Sequence, residues 1–429
     1  MVDISLPRRS LLTGGAAFAA AAVLPAARAR AGNPDPEAVH RRVLVLDAHA
    51  DILLPPSKTQ YYHVPDSYLL PDRSSRIGID RLIEGGVDAI TLAISVGPGP
   101  TDAPGISAAR AEADAKLAAI KKLVADHPER LALAQSADDV RRLHRERRTA
   151  VIIGFQNARI IGDDIDQLDG FYRAGARVFA LNHAGHNALS DSSRFLDGPA
   201  ALHGGLSPIG RAAITRLNDL GALIDVSQMS AASVSQTLAL SRAPVIASHS
   251  NAGSLAPSVR NLTDAQLDAL GANGGVVHVT PFAAFILALT PEQKTAVGKM
   301  RARYGLSESF VYPSDDIGAL NPAARTGYID DMGVLTETFA KPTVANYVDH
   351  IDYIVRRIGI AHVGVGTDFD HGSGIPGFNS ASEAPNVTRE LLARGYDETE
   401  VAAIWGGNFL RVLEAAERAG VAKRSASRG

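Results

Sequence analysis

The chain has 429 residues, 46% of them hydrophobic and 21% charged, with a mean hydropathy of +0.02 and a formal net charge of −3. That composition is ordinary for a globular enzyme and leaves no room for extensive disorder, and its mildly acidic balance without a basic run excludes nucleic acid as a natural partner. With no cysteine, neither a disulfide framework nor a lipid anchor on Cys can form.

In chain order, the first segment is "MVDISLPRRSLLTGGAAFAAAAVLPAARARAGNPDP". Paired Arg8 and Arg9, a weakly apolar Ala/Gly stretch and then small residues make residues 1–31 an export signal of twin-arginine type. That route carries folded proteins, which suits a protein that takes up a metal in the cytoplasm. Cleavage after Ala31 removes four arginines and one aspartate and leaves a net charge of −6. The expected location is the periplasm, with no membrane span once the signal is gone.

From residue 42 onward, apolar runs alternate with helix-like segments, the pattern of a parallel sheet with crossover helices. The runs cover 42–50, 87–95, 149–157, 176–184, 221–228, 244–250, 274–280 and 362–370. Eight such units predict a (β/α)8 TIM barrel, a single α/β domain over residues 32–420, with a polar tail at 421–429. Helices are expected over "IGRAAITRLNDLG", closed by Gly221, and over "TPEQKTAVGKMRARYG", with Thr290 as N-cap, Pro291 in the first turn and Gly305 beyond the end. The latter falls in an insertion at 287–341, too long for an ordinary connection. The rest of that insertion, with Tyr312, Asp315, Asp316, Asp330 and Asp331, reads either as a lid or substrate loop or as a solvated surface excursion.

In such a barrel the chemistry sits where the strands end. The first run ends on His49 and Asp51, and the third to eighth end, in order, on Gln156, His183, Gln228, His249, His278 and Asp368. A His-x-Asp pair alone arises by chance about once or twice in a chain of this composition. Seven of eight strands with polar side chains at one end is a different matter, because polar groups near a core are expensive unless they pair or bind something. Imidazole nitrogen and carboxylate oxygen suit zinc or a similar divalent ion, and His49 and Asp51 share one face of an extended strand. Such an ion makes water acidic enough to attack an amide, with Asp368 placed to move the proton. Asp47 is expected to brace the turn or a ligand.

The blocks "LVLDAHADIL", "RVFALNHAGHNALSDS", "ITRLNDLGALIDVSQMS", "SRAPVIASHSNA", "VRNLTD", "VANYVDHIDYIVRRIGIAHVGVGTDFD" and "IWGGNFLRVL", in that order, resemble the membrane (renal-type) dipeptidase family, metallopeptidase family M19, among the amidohydrolase-like barrels. The resemblance spans about residues 40–415. It implies a metal-dependent dipeptidase, a dipeptide or related small amide as substrate, and a homodimer. By position it implies that His49 and Asp51 hold the first metal, that His249 holds the second, and that Asp368 is the catalytic aspartate beside the first. His183 matches the residue that touches the scissile carbonyl, and Arg260 the arginine that binds the substrate carboxylate. Gln156 stands where the family has a bridging glutamate, Gln228 where it has a second-metal histidine, and Phe282 where it has a substrate-facing tyrosine. Neutral amides are weak ligands, so the expectation is one zinc on His49, Asp51 and Asp368, with two ions as the alternative. His186 and His278 are expected to be structural. The alternatives are a mononuclear amidohydrolase acting on another small carboxylate-bearing amide or lactam, and a catalytically silent barrel that binds a small ligand.

Overall fold

The computed structural model describes residues 34–52, 75–195, 199–308, 310 and 320–426, and the export segment lies outside them. Nine strands are present among the described residues: β1 (Leu46–Asp51), β2 (Ala89–Ser95), β3 (Leu131–Leu133), β4 (Thr149–Gln156), β5 (Ala176–Ala180), β6 (Leu223–Asp225), β7 (Ile246–Ala247), β8 (Val276–Val279) and β9 (Val363–Val365). All ladders are parallel, in the order β1-β2-β4-β5-β6-β7-β8-β9. The ring closes where Asp51 N donates to Phe369 O at 3.0 Å and Asp368 N donates to His49 O at 2.8 Å. The eight expected runs therefore form the α/β barrel, although each strand is shorter than its run, because the residues past its end leave the ladder to line the mouth. The strand not foreseen, β3, pairs with the start of β4 at Thr149–Val151, ahead of the point where β5 takes over from Ile153.

Every residue of β1, β2, β4, β5 and β8 is buried, as parallel strands covered on both faces require. One apolar cluster fills the barrel interior with Leu46, Ala89, Ile152, Val178, Leu223, Ile246 and Val276, and the terminal helix Asn408–Ala426 plugs it from below with Phe409, Leu410, Val412 and Leu413. The plug fits closely. A Cβ on Gly406, in the π-helical segment Ala403–Gly407 that leads into that helix, would stand 2.5 Å from the Leu44 side chain and 2.7 Å from its carbonyl oxygen. A second cluster lies between the strands and the surrounding helices, with Ile90, Leu92, Val151, Phe155, Phe179, Val277 and Val365 on the sheet side. The candidate metal ligands gather at the C-terminal mouth.

Local signals in the sequence explain the connecting helices. The helix Pro208–Leu220 begins on Ser207, whose side chain accepts from Gly210 N, and ends on Gly221 at φ +81°. Thr290 and Gln293 form a capping box on Pro291–Arg303, and Gly305 follows at φ +73°. Two corrections concern the outer segments. Asp330 and Asp331, expected in a lid or loop, stand on a second helix, Pro322–Glu337, where Asp331 accepts from Tyr304 Oη at 3.0 Å and pairs with Arg303 at 3.0 Å. The described insertion is thus built around two helices braced by these pairs, while Tyr312, Asp315 and Asp316 lie outside the described residues. The terminal helix also continues to Ala426, five residues beyond the start of the expected tail. No helix among the described residues is long and apolar enough to cross a membrane.

Candidate metal centre

A register shift lies between Asp47 and Ala50 in the β1–β2 ladder. Leu46 and Ala48 belong to the interior cluster, and the shift turns His49 inward directly after Ala48, followed by Asp51. Asp47 then braces the segment just past β9: its Oδ1 accepts from His49 N at 3.1 Å and Thr367 N at 2.8 Å, and its Oδ2 accepts from Thr367 Oγ1 at 2.5 Å. Burial pushes its carboxyl up to about 6, against the pull of those bonds.

His49 Nε2 is buried and has no hydrogen-bond partner among the described residues. The carboxylates of Asp51 and Asp368 each lie 3.8 Å from it, too far for a hydrogen bond and a suitable spacing for donors around a shared cation. Its ring stacks on that of His249 at 4.1 Å. Ser248 sets the tautomers of both. Its Oγ donates to Asp225 Oδ2 at 2.5 Å, so its lone pairs face His249 Nδ1 at 2.7 Å and His49 Nδ1 at 3.4 Å, leaving both Nε2 atoms unprotonated. Ser248 itself is admitted by a glycine: a Cβ on Gly366 would stand 1.9 Å from the Ser248 carbonyl oxygen.

His49, Asp225 and His249 have ligand atoms within 4.8 Å of one another, all three buried. Asp225 was not expected in such a group. Its oxygens already accept from Ser227 N, Ser248 N and Ser248 Oγ, so it orients the histidines while adding negative charge. Gln228, held at φ +68°, donates its amide to His249 Nε2 at 3.2 Å and thereby occupies that lone pair, while Gln228 Oε1 and Gln156 Nε2 have no partner among the described residues. This set of donors fits a metal ion.

Asp51 has a further neighbour that no pattern in the sequence indicated. His371 Nδ1 donates to Asp51 Oδ2, and Ser95 Oγ donates to Asp51 Oδ1 at 2.9 Å. Burial would raise the Asp51 carboxyl, but His371, Lys116 and His49 outweigh it and hold it well below the carboxylate range. Lys116 in turn donates from Nζ to Ser95 O at 2.5 Å. His371 Nε2 meets His183 Nε2 at 3.1 Å. Burial, reinforced by His371 and Arg194, drives the pKa of His183 well below its ordinary value. Burial raises the carboxyl of Asp368, with His371, His49 and Arg260 opposing it.

Arg260, a surface residue by periodicity alone, is 3% exposed; its guanidinium donates to His249 O at 3.3 Å and lies 5.5 Å from the ring centre of Phe285. Phe282 is half-buried and stacks on Phe285 at 4.3 Å. Two other histidines lie apart. His186 takes Ser192 N on Nδ1 at 3.0 Å and has Pro199 O 2.9 Å from Nε2. His278 points into the barrel interior against Phe409, its Nδ1 3.2 Å from Ala247 O, and burial lowers its pKa to about 3.

The profile of the membrane dipeptidase family, peptidase family M19, matches residues 35–427. The chain is 28% identical to Dipeptidase tcpJ of Claviceps purpurea (strain 20.1) over 81% of its own length and 70% of that protein's. To Dipeptidase verJ of Clonostachys rogersoniana it is 30% identical over 70% of its length, and it spans 63% of that relative. Among solved structures, the probable dipeptidase PvdM from Pseudomonas aeruginosa superposes with a TM-score of 0.80 at 35% identity, covering 90% of this chain and 98% of that one. A barrel with its histidines and aspartates gathered at the mouth, matched along nearly its whole described length, belongs to the membrane dipeptidase family, a family of metal-dependent hydrolases.

Proposed function

We propose that the protein hydrolyses dipeptides with one divalent cation, zinc by its donor set, held by His49, Asp51 and Asp368. The observation that carries this reading is His49 Nε2, a buried lone pair without a hydrogen bond among the described residues, between two carboxylates at 3.8 Å. His249 stands ready on the second side, but the Gln228 amide on its Nε2 and the neutral Gln156 favour one ion over two. When bound, the cation supplies Lewis acidity, polarising a carbonyl and making water a stronger acid.

The chain's own groups do the rest. Arg260 takes the substrate's terminal carboxylate, fixing the dipeptide with its amide toward His49. His183 hydrogen-bonds the scissile carbonyl oxygen, a contact that strengthens as charge grows there. Asp368, whose carboxyl burial raises, accepts the proton of the attacking water and returns it to the leaving amine. The Phe282–Phe285 pair beside Arg260 favours an apolar C-terminal residue.

The test is a dipeptide panel assayed on purified protein of measured metal content. About one ion per chain, release of free amino acids, and loss of that activity with chelator and its return with zinc are expected. A protein that holds stoichiometric metal and cleaves no member of the panel would sink the dipeptidase reading, and two ions per chain would sink the single-ion reading.

A further inference from the structure

His371 belongs to no strand and reaches the mouth by an unusual path. Asp368 and Asp370, on either side of Phe369, both adopt left-handed backbone, at φ +55° and +65°. Non-glycine residues take that conformation only where the surroundings impose it. Here the impositions are visible: Asp368 N is tied to His49 O, Phe369 O accepts from Asp51 N, and Asp370 accepts from Ser75 Oγ at 2.5 Å and Arg76 N at 2.8 Å. The double turn delivers the His371 ring between Asp51 and His183. Its Nδ1–H is fixed by the Asp51 carboxylate, which can only accept, so Nε2 is directed at His183 Nε2, 3.1 Å away. Among the described residues that contact is the only hydrogen bond made by the His183 ring; its Nδ1 is buried without a partner.

We propose that His371 is a positioning residue of the hydrolytic site, clamping Asp51 with one ring nitrogen and the His183 imidazole with the other. The role assigned to His183 in this clamp rests on the dipeptidase reading above. The clamp fixes the plane of the His183 ring and decides which of its nitrogens carries the proton, as carboxylate–histidine pairs do for the groups they support.

Two substitutions separate the arms. In His371→Asn the amide nitrogen can take the place of Nδ1 against Asp51 but cannot reach His183; in His371→Gln the longer amide can reach His183. For His371→Asn we expect unchanged metal content, KM within about twofold, and kcat lower by about 10–100-fold, with His371→Gln recovering part of it. Combined with His183→Ala, His371→Asn should lower kcat no further, whereas effects that multiply would overturn the proposal. Independently of catalysis, the ring-nitrogen NMR signals of His183 in 15N-histidine-labelled protein should shift in His371→Asn while those of His278 stay in place. Unmoved His183 signals would overturn the clamp. Should the metal-loaded wild type cleave no dipeptide, the dipeptidase reading fails alone, and the ring-nitrogen signals still decide the role of His371.

Discussion

Arg260 lies almost wholly inside the protein with its guanidinium against the backbone of His249 and the face of Phe285. A planar fork in that setting is not replaceable by a point charge on a flexible stem. Arg260→Lys should therefore raise KM for dipeptides about tenfold or more through the lost bidentate contact, while leaving the turnover of dipeptide amides, which lack that carboxylate, nearly unchanged. Equal losses on acids and amides would remove Arg260 from carboxylate binding. The residue also marks a limit of sequence reading. His49, Asp51, His183, His249 and Asp368 could be picked out because each falls at the end of an apolar run. Arg260 sits in a loop and was reached only through family resemblance. Asp225 ends its strand three residues before Gln228, and nothing in the run 221–228 marks where the ladder stops. His371 gave no signal, since its direction is set by two left-handed aspartates whose conformation depends on partners far away in the chain.

Elements were easier to foresee where short-range chemistry decides them. Thr290 with Gln293, and Gly221, mark helix ends by hydrogen bonds that need no tertiary context. The three residues of β3 were too few to produce a period, and the helix carrying Asp330 and Asp331 lacks a sharply amphipathic face. The first helix, Pro36–His40, illustrates an element held by one buried side chain. Trp405 Nε1 donates to Thr388 Oγ1 at 2.8 Å, that hydroxyl meets His40 Nδ1 at 2.6 Å, and His40 Nε2 meets Gly85 O at 2.8 Å. Each donor then has one acceptor only if His40 is neutral with its proton on Nε2. Burial lowers its pKa below the ordinary 6.5, against the Gly85 bond that raises it. The unfolded chain thus binds this proton more readily than the folded one. The histidine's contribution to stability is full above pH 6.5 and declines as pH falls from there through the folded-state pKa. Urea unfolding midpoints should drop over that range, and His40→Gln should flatten the slope; an unaltered slope would assign the acid sensitivity elsewhere.

At the scale of the molecule, the barrel followed from eight apolar runs because burial on both faces leaves each strand few polar positions. The contacts that seal the barrel did not follow from the sequence, because the seam depends on Asp51 and Asp368 meeting backbone across it, and the plug depends on a helix more than 300 residues from β1. The apolar plug at one end of the barrel and the candidate metal ligands at the other divide stability from chemistry. Phe409, 1% exposed in the plug, should on replacement by Ala lower unfolding free energy by about 3–5 kcal/mol with metal content and KM preserved, read by denaturant melts beside metal analysis. Loss of metal at an unchanged melting point would contradict that division. Trp405, the single tryptophan of the chain, lies at this end, 2% exposed, with the His40 ring edge-on at 5.7 Å. An indole so placed emits in the blue when folded, and an imidazolium beside it quenches that emission. The intrinsic fluorescence of the protein therefore reports one seam rather than an average, and its intensity across an acid titration reads the charge on His40 before any unfolding begins.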